Sequence, residues 1–260
     1  MKPAKMSEKD SCAVWKMIYL ARRNPALRPQ EFAQAWREHS ALGRQCRNVG
    51  QRVKAVAQCS RHLQADAAAL SKDYDGVNLM VLAEREAGSA IWSDPETLAV
   101  MRPDEPRVFA DYVRNFSLLC RQQVLHGCRS VDVLPQQKQV MLIGFLQRSD
   151  VWRGAAALPE ICPLQWQSAA LGLASRIVCN TVDEQPPSGY GYRHVVEWWF
   201  DSVEQAQAAR PPPVRRPASG CSGGWLQGPE RQGGPGPVGW PWSWLVCWDA
   251  RPGYAPPRWG

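Results

Sequence analysis

Phe32, Trp36, His39 and Gly43 follow one another at spacings of four, three and four residues, which places them on one face of a helix. Glu31, Gln34, Glu38 and Gln45 fall largely elsewhere and can face water. His39 therefore points inward with two aromatic rings. An imidazole with a pKa of about 6.5 can take up and return a proton near neutral pH, so this position is a candidate general acid/base. A plainer role competes with it. A histidine on an apolar helical face also serves as a core residue bonded to a backbone carbonyl, and Phe32 and Trp36 are then simply core.

Other site chemistries find little footing. The sequence has no GxGxxG after a strand, no GxxxxGK[ST], no GxSxG and no HExxH. That leaves chemistry without a cofactor, or none. Nine cysteines are an odd number, form no CxxC pair and lie mostly in apolar segments, which fits free buried thiols in a reducing compartment. His126 with Cys128 is the closest ligand-like pair, and two ligands do not make a tetrahedral site, so no metal is expected. His62, His126 and His194 have no partner pattern, and Asp75 serves the turn before Gly76.

Composition bounds the rest. In 260 residues, 45% hydrophobic and 21% charged side chains describe a packed globular chain. The net charge of +7 is spread along the sequence rather than gathered with aromatics on one face, so no nucleic-acid partner is expected. No apolar run approaches the roughly 18 residues of a membrane span. The N-terminal apolar segment is short and interrupted by Lys16, so it does not read as a signal peptide, and the cytoplasm is the expected location.

The elements that must position His39 can be read in order. Residues 1–12 are polar and expected to be disordered. VWKMIYLA (14–21) predicts a strand buried on both faces, with Lys16 near an edge or mouth. Asn24-Pro25 ends it and Pro29 opens a helix to about Cys46. Strands follow at 53–63 and 76–85, then a helix capped at Ser93-Asp94-Pro95-Glu96 whose character continues through FADYVRNFSLLCRQQ. SVDVLP near 130–135 is the expected closing strand of a first unit, 13–135.

A second unit, 136–210, repeats the order. A strand is predicted at 139–148, a proline-broken helix resuming at 163–173, strands at 175–182 and 192–200, and a helix capped by Asp201 or Ser202. That helix stops near Ala209. Residues 211–260 then hold 11 of the 22 prolines, 10 of the 20 glycines and 6 of the 13 tryptophans, and read as a disordered low-complexity tail. The tail cuts a well-started helix, which also fits a reading frame lost near residue 210.

Two strand–helix–strand–strand–helix units imply an α+β fold of two tandem ferredoxin-like modules, with the second truncated, their sheets closing into an α+β barrel. At this point FAQAWREHSALGRQ (32–45), DYDGVNLMVL (73–82), DPETLAVMRPDEPRVFADYV (94–113) and VVEWWFDSVEQAQAA (195–209) resemble the EthD family of dimeric α+β barrel proteins. The resemblance covers about residues 13–209 and puts His39 at the family's helix-end histidine. The second unit has no histidine to match it.

The resemblance implies an apolar cavity for a small hydrophobic or aromatic compound. Around it would stand Tyr19, Phe32, Trp36 and His39, with Arg44 near the mouth. His39 would act as acid/base and Tyr19 would orient a substrate oxygen, in a cofactor-independent lyase, dehydratase or degradative enzyme. Two other readings stand beside that one: a non-catalytic ligand-binding barrel, and a frame-shifted, non-functional paralogue. A barrel closed within one chain needs no second copy, while the shortened terminal helix leaves a face for one, so monomer and homodimer are both open.

Overall fold

The computed structural model describes residues 13–63, 72–128, 139–147, 172–209 and 242–253. The first unit is β1 (Val14–Ala21), α1 (Pro29–Leu42), α2 (Arg47–Arg52), β2 (Val53–Arg61), β3 (Gly76–Leu82), three short helices α3 (Ala87–Ala90), α4 (Pro95–Val100) and α5 (Glu105–Val108), and β4 (Ser117–Gly127). The second is β5 (Val140–Gln147), β6 (Arg176–Val182), β7 (Tyr192–Phe200), α6 (Val203–Ala208) and β8 (Trp242–Gly253).

All strand pairs are antiparallel, and their order is β1-β3-β2-β8-β5-β7-β6-β4 in a closed barrel. Within it β4-β1-β3-β2 and β8-β5-β7-β6 are the same arrangement twice. Each is the strand order of a ferredoxin-like unit, and the fourth strand of each unit pairs with the second strand of the other. The fold is thus the expected α+β barrel.

Three elements depart from the sequence reading. The closing strand of the first unit is Ser117–Gly127, not 130–135, which lies outside the described residues. Helical character was expected to reach Gln123, but from Cys120 the side chains alternate: Cys120 and Gln122 are buried, Arg121 and Gln123 exposed. That period of two suits a strand bonded on both sides, to β1 and β6.

The second departure is β8. No element was expected after residue 210, yet Trp242–Gly253 fills the gap between β2 and β5. Both neighbours would otherwise expose unpaired backbone groups, and a ladder asks for backbone rather than composition. Residues 242–248, WSWLVCW, form a short apolar run, a signal hidden by the prolines and glycines around it. The second unit therefore has four strands, while its last helix is as short as expected: α6 runs six residues, capped by Ser202. The remaining tail residues, 1–12, and residues 163–171 of the helix expected at 163–173 lie outside the described residues, while residues 172–173 are helical.

Lys16 is the third. It sits at no edge but in the barrel lumen, fully buried, with Nζ 2.8 Å from Glu197 Oε1 on β7. Asn180 Nδ2 donates to the same oxygen at 2.7 Å and Trp199 Nε1 to Oε2 at 3.0 Å. β1 and β7 are not neighbours in the sheet, so this pair crosses the lumen and ties the two units together.

On the outside, α1 packs against the first sheet. Its Phe32, Trp36 and His39 are buried, and burial of each large apolar ring contributes about 1.5–3 kcal/mol. The helix comes so close that a Cβ on Gly76 would stand 2.5 Å from Trp36 Cζ3 and 2.9 Å from the Cys59 carbonyl. Only glycine admits that approach.

Candidate functional site between α1 and the first sheet

The helix face predicted from spacing meets the sheet face that carries Tyr19. Phe32 and Trp36 stack at 5.1 Å between centroids, and Tyr19 lies 6.2 Å from Trp36 and 6.0 Å from Phe116. Phe109 completes the layer. It stands edge-on to His39 at 5.3 Å, to Phe116 at 5.7 Å, to Trp36 at 6.1 Å and to Phe32 at 6.2 Å. Tyr19, Phe32, Trp36 and His39 thus share one buried layer. Tyr19 and His39 are not in contact: Trp36 and Phe109 stand between their surroundings. Arg44 is exposed on the 3-10 turn Gly43–Gln45 after α1.

Asp104 gives His39 its chemistry. Its Oδ2 lies 3.0 Å from His39 Nδ1, and both its oxygens are held by Arg107, Nε to Oδ1 at 2.7 Å and Nη2 to Oδ2 at 3.0 Å. The Arg107 guanidinium, with His39 adding to it, holds the Asp104 carboxyl below the usual carboxylate range. An ionised carboxylate only accepts, so Nδ1 carries the proton and neutral His39 keeps a lone pair on Nε2. Burial pushes the imidazole below its ordinary range, and Asp104 opposes that only in part. His39 is therefore held neutral, with its ring oriented by Asp104 and its Nε2 unprotonated. Burial raises the Tyr19 hydroxyl, so it remains a donor.

Two buried groups in this layer are unpaired among the described residues, the Trp36 indole Nε1 and the Asn78 amide. Asn78 on β3 is fully buried, and neither its Oδ1 nor its Nδ2 has a hydrogen-bond partner among the described residues. Register sets it beside Tyr19 on one side and Gln58 on the other, so the three face α1 in a row. Gln58 is satisfied, by the Trp36 carbonyl at 3.3 Å and the Ser40 hydroxyl. An orphaned amide costs about 1–3 kcal/mol, which marks Asn78 as a group awaiting a partner.

Asp104, Phe109 and Asn78 were not singled out from the sequence. Asp104 lies in the helix-rich stretch 94–113, where one carboxylate among several gives no sign of its partner. Asn78 interrupts an apolar strand, a signal that could have been used.

With this geometry in view, one comparison speaks directly. Residues 24–112 match the EthD domain. The match spans α1 and the stretch with Asp104, so His39, Asp104, Asn78 and Phe109 all fall inside it. A comparison with curated proteins finds no match. Among solved structures, an anthrone oxidase-like protein aligns at TM-score 0.46 and 10% identity over 78% of this chain and 80% of that one. A putative monooxygenase from Lactobacillus acidophilus aligns at 0.38 and 7% over 77% and 82%, and a chlorite dismutase mutant from Candidatus Nitrospira defluvii at 0.42 and 8% over 75% and 80%. Likeness at that level says nothing of chemistry. No helix among the described residues is long and apolar enough to cross a membrane.

Outside the EthD match, His194 on β7 has a different setting. Its Nδ1 lies 3.2 Å from Thr181 Oγ1 and 3.7 Å from Cys179 Sγ, and Nε2 has no partner. Burial, helped by Arg193, pushes it from 6.5 down to about 4. The unfolded chain binds this proton first, so its contribution to stability is complete above pH 6.5 and is lost as pH falls toward 4. Replacing His194 by Gln is expected to flatten that acid limb. Urea midpoints from pH 7.5 to 4 read the difference, and parallel curves for both proteins would show that His194 does not titrate.

Proposed function

We propose that the layer beneath α1 binds a small aromatic compound bearing a hydroxyl or enolisable oxygen, and that His39 takes a proton from it without a cofactor. The observation that carries this reading is Asn78, a fully buried amide with both polar atoms unpaired in a ring-lined layer. An amide offers one donor and one acceptor side by side, and a hydroxyl on a ring satisfies both. The rings supply stacking surface, and the EthD match over residues 24–112, which includes most of the layer, supports the reading. His39, neutral and oriented by Asp104, is the proton acceptor, and Tyr19 is a donor on the sheet side. A non-catalytic binder would use the same contacts without the proton transfer. The pairing of β8 with β2 and β5 favours a complete barrel over a damaged copy.

Asn78→Leu separates a ligand group from a structural one. Without ligand the variant is expected to be more stable by about 1–3 kcal/mol, because an orphaned amide is gone. Its affinity for 2-naphthol, measured by calorimetry, should fall about tenfold toward that for naphthalene. A variant that is less stable than the parent, or that still prefers the naphthol, would remove the basis of the reading.

A further inference from the structure

A cavity of about 190 Å³ opens on the helix-facing side of β1 and β4 and shares no residue with the His39 layer. Met17 and Leu119 form its floor, Gly88, Ser89 and Trp92 one wall, and the loop Val182–Pro187 between β6 and β7 reaches over from the second unit. The first unit thus supplies the basin and the second its cover. Gly88 lets α3 sit directly on the floor: a Cβ there would stand 2.8 Å from Leu119 Cδ1.

The cover is pinned. Asp183 N donates to the Leu119 carbonyl at 2.9 Å, and Arg85 binds Asp183 Oδ2 through Nε at 2.9 Å and Glu184 Oε1 through Nη2 at 3.1 Å. Glu184, the carboxylate that lines the cavity, is therefore turned to Arg85. Arg114 also lines it and takes part in no ion pair among the described residues. Ser117 Oγ donates to the Val113 carbonyl at 2.7 Å, so the hydroxyl faces the cavity as an acceptor or not at all. The lining is then mixed: apolar side chains and a half-buried indole on one part, the polar Ser89, Ser117 and Gln185 on another, with one committed carboxylate and one uncommitted guanidinium.

We propose that this cavity binds a compact carboxylate with an apolar body, a single aromatic ring or a short chain, with the carboxylate on Arg114 and the body between Trp92, Met17 and Leu119. The volume sets the size class, since sites for drug-sized ligands run to roughly 300–1,000 Å³. Guanidinium matches a carboxylate in shape and charge, through two parallel N–H bonds. The site does not depend on His39 and would stand if the reading of that layer failed.

Benzoate is the probe, with benzamide as its uncharged twin, titrated calorimetrically into the full chain. Benzoate is expected to bind one site, more weakly at high salt, and benzamide at least tenfold more weakly still. Arg114→Gln should weaken benzoate at least tenfold and leave benzamide unchanged, Arg114→Lys should recover part of the loss, and His39→Ala should leave benzoate unaffected. Arg114 is exposed, so its variants are expected to keep the parent's melting temperature. Trp92→Phe should abolish the fluorescence change on binding. No benzoate binding at millimolar concentration, equal binding of both probes, or benzoate affinity unchanged in Arg114→Gln would each overturn the proposal.

Discussion

His39→Ala is expected to lower the turnover of any hydroxyarene that the layer beneath α1 binds by about 10²–10⁴-fold, the range for removing a positioned general base, while affinity changes far less. The reason lies in the tautomer. Asp104 is ionised and clamped by Arg107, so it fixes the proton on Nδ1 and leaves Nε2 free to accept. Asp104→Asn keeps the shape and removes the charge. It should cost turnover by less than His39→Ala and move the acid limb of kcat/KM further down in pH, because Asp104 is what opposes burial at His39. The acid limb of the parent should lie below pH 6.5, since the imidazole is held below that value. A merely structural histidine would move stability and leave the pH profile where it was. If His39→Ala keeps turnover and affinity within about twofold, His39 is a core residue and not the proton acceptor.

Lys16→Met destabilises the fold by about 3–5 kcal/mol, the cost of removing one partner from a buried ion pair. Glu197 would keep Asn180 and Trp199 as donors but lose the cation it is ion-paired with among the described residues, in a lumen with no exposure at either residue. Glu197→Gln strands Lys16 in the same way and should cost a similar amount. The double variant Lys16→Met, Glu197→Leu should recover much of the loss, because the desolvation of both charges is then avoided. Urea unfolding at pH 7 for the four proteins closes the cycle. Single variants that cost under about 1 kcal/mol would mean that water reaches the pair. Because Lys16 belongs to the first unit and Glu197 to the second, the pair also couples the units. Its loss should therefore loosen barrel closure before it unfolds either sheet.

The sequence by itself determined most of the scaffold. Apolar runs bounded by turn residues marked β1, β2, β3, β5, β6 and β7, because a strand buried on both faces reads as a near-continuous apolar run even where a single polar residue such as Lys16 or Asn78 interrupts it. The spacing of Phe32, Trp36 and His39 fixed the inner face of α1, because side chains three and four apart must lie together. The EthD resemblance rested on α1, β3, β7 with the helix after it, and the stretch 94–113.

Tertiary structure decided everything that needed a partner from elsewhere in the chain. The pairing of His39 with Asp104 spans 65 residues, and that of Lys16 with Glu197 spans 181. No local pattern carries either distance. β4 was read as a helix because its first residues are good helix formers, and two neighbouring strands overruled that preference. β8 was hidden because proline and glycine set the composition of its surroundings, while its place was set by two open strand edges. Local propensity chooses among conformations of a segment. Which charge is neutralised, which amide is left unpaired and which edge is closed depend on what the rest of the chain brings within 3 Å, and only the closed barrel settles that.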